Sequence, residues 1–313
     1  MEHISFEGQV AIVTGAGRGM GQAYALELAR RGAAVVVNDI GGVGSPEGAW
    51  ADATVRAIRE AGGRAVASHH SVATAEGGQG ITDTAVREFG GADIVINNAG
   101  FLRRGMFAET PLEHTRGILE VHLLGAFHVT QPAWKLMAAK GYGRVVFTSS
   151  AASFGMQANS NYVAAKAGLL GLTSALALEG AADGIRVNSI LPYARTNITV
   201  DSPAVGPEAQ RTVALQGELA SRMTFASVAA AALYLASPAC SITGQAISAL
   251  AGRYARAFLS LNDGWLSDEV QEIAPEDFGD HLEEVLDSRR SFEPGSLQGE
   301  LVQVIDRLRD RTL

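Results

Sequence analysis

Tyr162 and Lys166 stand four residues apart in YVAAK, inside a stretch of helical periodicity, so both project from one helix face. A phenol with an ordinary pKa of ~10 is a poor base at neutral pH. A neighbouring ammonium favours the phenolate and lowers that value. Such a pair can take the proton of an alcohol or give one to a carbonyl oxygen. Taken alone, the same spacing also describes an ordinary helix surface. Ser149 and Ser150 follow an apolar run just upstream. A hydroxyl there, at the edge of a sheet, is placed to hold a substrate oxygen beside the tyrosine.

A second group of residues has phosphate chemistry. The segment TGAGRGMG, Thr14–Gly21, joins a short apolar run to a helical pattern. Its glycines let the backbone approach a pyrophosphate, and the helix start offers free N–H groups and partial positive charge. The spacing is GxxxGxG rather than GxGxxG, and a tight turn without ligand is the plainer alternative. Asp39 ends the next β-branched run, 18 residues after Gly21. A dinucleotide fold places a carboxylate there for the adenosine ribose hydroxyls. That carboxylate repels a 2′-phosphate, which favours NAD over NADP. Arg18 in the loop pulls the other way. NNAG, Asn97–Gly100, ends a further strand, and its small residues leave room for a cofactor ring.

The elements that must position these groups alternate along the chain. Strands are expected at Val10–Thr14, Ala33–Asp39, Arg64–Ser68, Ala92–Asn97, Arg144–Ser149, Arg186–Leu191 and Gln245–Leu250. Helices are expected over Gly21–Arg31, Ala49–Ala61, Gly80–Phe89, Leu112–Ala139, Asn161–Ala181 and Val228–Leu235. Seven strands alternating with six helices make a doubly wound α/β domain with a parallel sheet. Pro192–Ala209, rich in Pro, Thr, Ser and Asn, reads as a long loop after a strand end, a candidate substrate cover.

Composition narrows the function classes. The chain has 313 residues, 47% of them hydrophobic and 19% charged, which excludes intrinsic disorder. No apolar run is long enough to span a bilayer, and the N-terminal residues lack a signal-peptide pattern. The single cysteine, Cys240, excludes an intrachain disulfide and a thiolate metal cluster, and no metal is expected. A cytoplasmic location follows as the expectation. The net charge of -8 is unevenly spread: residues 1–262 hold 20 Lys+Arg against 19 Asp+Glu, and residues 263–313 hold 5 against 14. An acidic molecule without a basic patch is a poor nucleic-acid binder.

Five motifs in order resemble a short-chain dehydrogenase/reductase: TGAGRGMG, NNAG, the serines after GRVVFT, YVAAK, and NSILP at Asn188–Pro192. The resemblance covers about residues 6–252. It implies a Rossmann-type doubly wound seven-stranded sheet, nicotinamide-dependent hydride transfer, and a homodimer or homotetramer. It implies Tyr162 as general acid/base, Lys166 as partner to the nicotinamide ribose, and Ser150 as holder of the substrate oxygen. Counting back from the tyrosine points to Ser149 instead. Cofactor contacts would come from Gly15, Arg18, Gly19, Met20, Gly21, Asp39, Asn98, Ala99, Gly100, Tyr162, Lys166 and Thr196.

Three places depart from the family pattern. His122 stands where the family keeps an Asn that helps hold a proton-relay water, and it reads either as that residue's substitute or as a histidine that merely packs. His70-Ser71-Val72 replaces an acidic contact to adenine, and Tyr193 follows Pro192 in place of glycine. VVVNDIGG, His122 and LEGAADGIRVNSILP resemble the branch with the (3R)-hydroxyacyl-CoA dehydrogenase domain of peroxisomal multifunctional enzymes and with bacterial hydroxysteroid dehydrogenases.

The expected division is a dehydrogenase domain at 1–252 and an acidic extension at 253–313 that packs on the body or a neighbouring subunit. The extension shows helical periodicity over Asp280–Ser288 and Gly299–Arg311. The expected activity is NAD-dependent interconversion of a secondary alcohol and a ketone on a bulky apolar, hydroxysteroid-like substrate. A 3-hydroxyacyl-CoA dehydrogenase is the alternative, with Arg103, Arg104 and Arg195 as candidate phosphate partners. A catalytically silent cofactor-binding subunit is the reading from another class.

Overall fold

Runs such as VAIVT and AVVVN are apolar at all but their last position and buried throughout, and both pack in the middle of a sheet covered on two faces. The computed structural model describes residues 3–42, 49–194, 207–268 and 270–312. In chain order its main elements are β1 (Val10–Thr14), α1 (Gly19–Arg30), β2 (Ala34–Asn38), α2 (Trp50–Glu60), β3 (Arg64–Ser68), α3 (Ala75–Phe89) and β4 (Ile94–Asn97). Then come α4 (Leu112–Leu119), α5 (Gly125–Lys140), β5 (Gly143–Thr148), α6 (Ser160–Glu179) and β6 (Ile185–Tyr193). α7 (Pro207–Leu219), α8 (Phe225–Ala236), β7 (Ala246–Leu250) and β8 (Arg253–Ala257) complete the first unit's elements.

The sheet order is β3-β2-β1-β4-β5-β6-β7-β8, with β1 to β7 paired in parallel. Side chains alternate across it. Val35 and Val37 join Tyr24, Leu28, Val55 and Leu233 in the core under α1, α2 and α8. Ala34 and Val36 join Ile81, Val129, Phe147 and Leu169 under α3, α5 and α6. The chain reverses direction across the sheet between β1 and β4, which opens a crevice at the strands' C-terminal ends. All five motifs of the sequence reach that edge.

The seven expected strands are present, and an eighth follows. Ala251 and Gly252 both have positive φ, 51° and 84°, the conformation of a two-residue hairpin turn between β7 and β8. The stretch expected as one helix over Leu112–Ala139 is broken by a π-helical turn at Glu120–Leu124 that carries His122. Of Pro192–Ala209, the expected loop, Pro192 and Tyr193 still belong to β6, α7 begins at Pro207, and residues 195–206 lie outside the described residues.

The chain divides into two units, Met1–Arg256 and Ala257–Leu313. In the second, β9 (Leu261–Asn262) pairs antiparallel with β10 (Ser291–Phe292), and between them lie α9 (Pro275–Asp280) and α10 (Leu282–Leu286). Trp265 stacks on His281 at 4.1 Å. α11 (Leu297–Thr312) leaves Leu301, Val302, Ile305 and Leu308 exposed.

Candidate active site

The loop after β1 is shaped by close backbone approaches. A Cβ on Gly15 would lie 2.7 Å from the Ala99 Cα, and one on Gly21 would lie 2.2 Å from the Gly15 carbonyl oxygen. Gly19 is different: it has φ +62°, and nothing stands within 4 Å of an added Cβ. Behind it α1 begins at its N-cap Arg18 with no side chain capping its first N–H groups. An uncapped helix start behind an open glycine fits a pyrophosphate. Asp39 stands beside the loop. Its Oδ2 accepts from the Gly17 N–H at 2.9 Å, and its Oδ1 accepts from the Gly41 N–H at 2.8 Å. Each oxygen keeps a lone pair for a ribose hydroxyl. These residues fit a nicotinamide dinucleotide.

The strand β5 delivers the two serines differently. The Ser149 hydroxyl donates to the Lys166 carbonyl at 2.7 Å and lies 3.2 Å from the Ser153 hydroxyl. Ser149 is buried. Ser150 begins a short 3-10 turn at Ala151–Phe154, accepts from the Ala152 N–H, and stands close enough to the Tyr162 phenol to favour its ionised form. α6 carries Tyr162 and Lys166 on one face, with the Lys166 ammonium nitrogen 5.7 Å from the Tyr162 ring centroid. That nitrogen donates to the Thr148 carbonyl. Asn161, one residue earlier, holds the Arg103 carbonyl at 3.3 Å and ties the 101–105 loop to the start of α6.

His122 sits among these groups. Its ring meets the Tyr162 ring edge-on, with centroids 5.1 Å apart. Its Nε2 contacts the Phe101 backbone, 2.8 Å from the carbonyl oxygen and 3.0 Å from the nitrogen. Its Nδ1 is buried without a hydrogen-bond partner. A small cavity, about the size of one water, is lined by His122, Lys166, Thr14 and Asn97.

Burial governs the acid-base properties of the cluster. It holds the Tyr162 phenol above its ordinary value, and the Ser150 hydroxyl opposes that in part. It lowers Lys166 to about 7. It also holds His122 well below the usual imidazole range, an effect strengthened by the Lys166 charge and opposed by the Phe101 backbone contact. The expected lowering of the tyrosine pKa by a full lysine ammonium is therefore not what the protein alone displays. In a desolvated site the charged form of each group is disfavoured, and a buried lysine gives up part of its charge near neutral pH.

The other expected residues divide by use. Asn98 is a clamp: its side-chain amide donates to the Thr14 and Gly15 carbonyls, and its backbone N–H donates to the Thr14 hydroxyl. Ala99 backs Gly15. Gly100 clears space for His122, since a Cβ there would lie 2.1 Å from the ring Cε1. Met20 lies half-buried beside the Tyr24 hydroxyl. Thr196 and Arg195 lie outside the described residues. Sequence reasoning missed Trp50, whose indole lies under the Arg18 guanidinium, 3.9 Å from its carbon to the ring centroid. A tryptophan at the first position of α2 gave no periodic signal that it faced the glycine loop.

A profile of the short chain dehydrogenase family matches residues 9–204. The chain belongs to this family. A short-chain type dehydrogenase/reductase of Mycobacterium tuberculosis is 41% identical over 273 residues, covering 85% of this chain and 91% of its own length. The peroxisomal multifunctional enzyme type 2 of Mus musculus is 37% identical over 318 residues, which is 97% of this chain and 40% of the mouse enzyme. In structure, the full-length peroxisomal multifunctional enzyme type 2 from Drosophila melanogaster is similar with a TM-score of 0.77 at 30% identity. That likeness covers 97% of this chain and 51% of the other. This chain thus spans about half, or less, of the multifunctional enzymes it resembles. As a short-chain dehydrogenase it is an oxidoreductase that acts on alcohol groups with a nicotinamide cofactor.

Proposed function

We propose that this short-chain dehydrogenase oxidises the 3-hydroxyl of a 3-hydroxyacyl-CoA to the ketone with NAD, and reduces the ketone with the same residues. The observation that carries the chemistry is the convergence of Ser150, Tyr162 and Lys166 at the C-terminal end of β5. Ser150 and Tyr162 hold the substrate oxygen between two hydroxyls. The nicotinamide, when bound, accepts the hydride from the carbinol carbon. Tyr162 takes the hydroxyl proton as the C–O bond becomes C=O. Lys166, lowered by burial to about 7, is matched to pass that proton on near neutral pH.

Two observations support the thioester over the hydroxysteroid-like substrate. The chain resembles peroxisomal multifunctional enzymes over 97% of its length, the branch that VVVNDIGG and His122 also resemble. Arg103, exposed and tied by its backbone to the residue before Tyr162, offers a cation at the site for a CoA phosphate. Asp39 supports NAD, because a carboxylate at the end of β2 would repel a 2′-phosphate. A homodimer or homotetramer belongs to the same reading, and exposed Leu124 and Phe127 offer apolar surface for it. An assembled Ser150–Tyr162–Lys166 cluster counts against a silent subunit.

The test is a panel of 3-hydroxyacyl-CoA thioesters and hydroxysteroids with NAD and NADP, followed by the absorbance of the reduced cofactor. The thioester with NAD should give the highest kcat/KM, by at least about tenfold. Turnover of steroids alone would replace the thioester reading.

A further inference from the structure

The phosphate loop holds one cation, Arg18, and the neighbouring strand end holds one anion, Asp39. The two make opposite demands on the cofactor. A guanidinium attracts a 2′-phosphate and a carboxylate repels it. Arg18 is exposed, stands at the N-cap of α1, and makes no ion pair among the described residues. Such a cation would ordinarily serve a phosphate. The structure gives it another partner. Its guanidinium carbon lies 3.9 Å from the centre of the Trp50 ring, the geometry of a close cation–π stack.

Trp50 is itself firmly seated. It opens α2, and its backbone N–H donates to the Gly41 carbonyl at 3.0 Å. Its six-membered ring lies against Gly41, where an added Cβ would stand 2.0 Å from Cε3. Its own Cβ lies 2.6 Å from where a Cβ on Gly17 would be. Gly17 and Gly41 are also the residues whose N–H groups hold the Asp39 carboxylate. One pair of glycines therefore seats both the anion that selects the ribose and the indole that carries the competing cation.

We propose that Trp50 is a specificity-determining residue: by stacking Arg18 on its face it withholds that cation from a 2′-phosphate and leaves the choice of cofactor to Asp39. The inference rests on the NAD reading above. The stack acts as a population tax on phosphate binding, because Arg18 must leave the indole to serve a phosphate. A cation–π contact of this exposure sets that tax at about two- to fivefold.

The test is calorimetric and needs no turnover. Affinities of the intact protein for 5′-AMP and for adenosine 2′,5′-bisphosphate are measured, and their ratio reports the 2′-phosphate alone. Trp50→Leu, which keeps bulk and removes the π face, should raise the relative affinity for the bisphosphate about two- to fivefold. Adding Arg18→Ala to that variant should abolish the gain. Arg18→Ala in the otherwise unchanged protein, a surface substitution, should leave the ratio within about twofold. An unchanged ratio in Trp50→Leu, or a gain that survives the loss of Arg18, would overturn the proposal. So would a large loss of bisphosphate affinity in Arg18→Ala alone, because Arg18 would then already reach the phosphate. If the unaltered protein itself prefers the bisphosphate, the NAD reading fails, and that outcome is read before any variant is made.

Discussion

The hydroxyl of Ser149 is spent on the Lys166 carbonyl at 2.7 Å, whereas that of Ser150 stands by the Tyr162 phenol and favours its ionisation. Two adjacent serines thus serve different levels of the structure. Ser149→Ala removes a buried hydrogen bond that ties the end of β5 to a carbonyl of α6, at a cost of about 0.5–1.5 kcal/mol. Its melting temperature should fall, with turnover per folded molecule largely kept. Ser150→Ala should melt near the unaltered protein and lose turnover by about a hundredfold or more. Thermal melts and kcat on the same preparations separate the two. Equal effects on both quantities would remove the division of labour.

Tyr162→Phe keeps the ring that meets His122 edge-on and deletes only the oxygen that exchanges the proton. Cofactor affinity, read by quenching of protein fluorescence, should stay within about threefold. Turnover should fall by about 10²–10⁴, the range for losing a general acid/base. Near-normal turnover would show that another group handles the proton.

The sheet and the chemistry were legible for a common reason: β-branched runs and the GxxxGxG, YVAAK and NNAG spacings are local. What the sequence hid depends on contacts from afar. α3 reads as starting at Gly80, yet it begins at Ala75, because Gly77 and Gly78 look like helix breakers. They are glycines because added Cβ atoms would stand 1.8 Å from the Ser71 carbonyl oxygen and 2.2 Å from that of His128. Gly100 reads as room for a cofactor ring, and in the structure it is room for His122. Asn98 reads as a cofactor contact, and its amide is occupied by the Thr14 and Gly15 carbonyls. The eighth strand was hidden because RYARA follows the last family motif and alternates only weakly between exposed and half-buried positions.

Asp39→Asn tests the anion that the NAD reading relies on. The amide oxygen still accepts from one glycine N–H, so the loop keeps part of its hold on residue 39, while the charge is gone. Loss of charge-assisted hydrogen bonds to a ribose is worth about 1.5–3 kcal/mol, or about tenfold and upward in affinity. NAD binding should weaken by that factor, and NADP binding should improve or hold. A parallel loss for both cofactors would mean that residue 39 supports the loop and does not discriminate.

Two buried bases, Lys166 and His122, tie the stability of the fold to pH. Lys166 is lowered from 10.5 to about 7 by burial, so between those values the unfolded chain holds a proton that the folded chain has released. Stability then rises as pH climbs through that window. His122 is held well below 6.5, so below that value the unfolded chain again binds the extra proton, and stability falls as pH drops. The two windows adjoin and have the same sign. Urea midpoints of the cofactor-free protein should therefore increase from pH 5 toward pH 9. Lys166→Met should flatten the part above about pH 7. His122→Asn, with the residue the family keeps at that place, should flatten the part below about pH 6.5. A His122→Asn profile that still drops below that pH would assign the acid sensitivity to other groups, and would leave His122 as a ring that packs against Gly100.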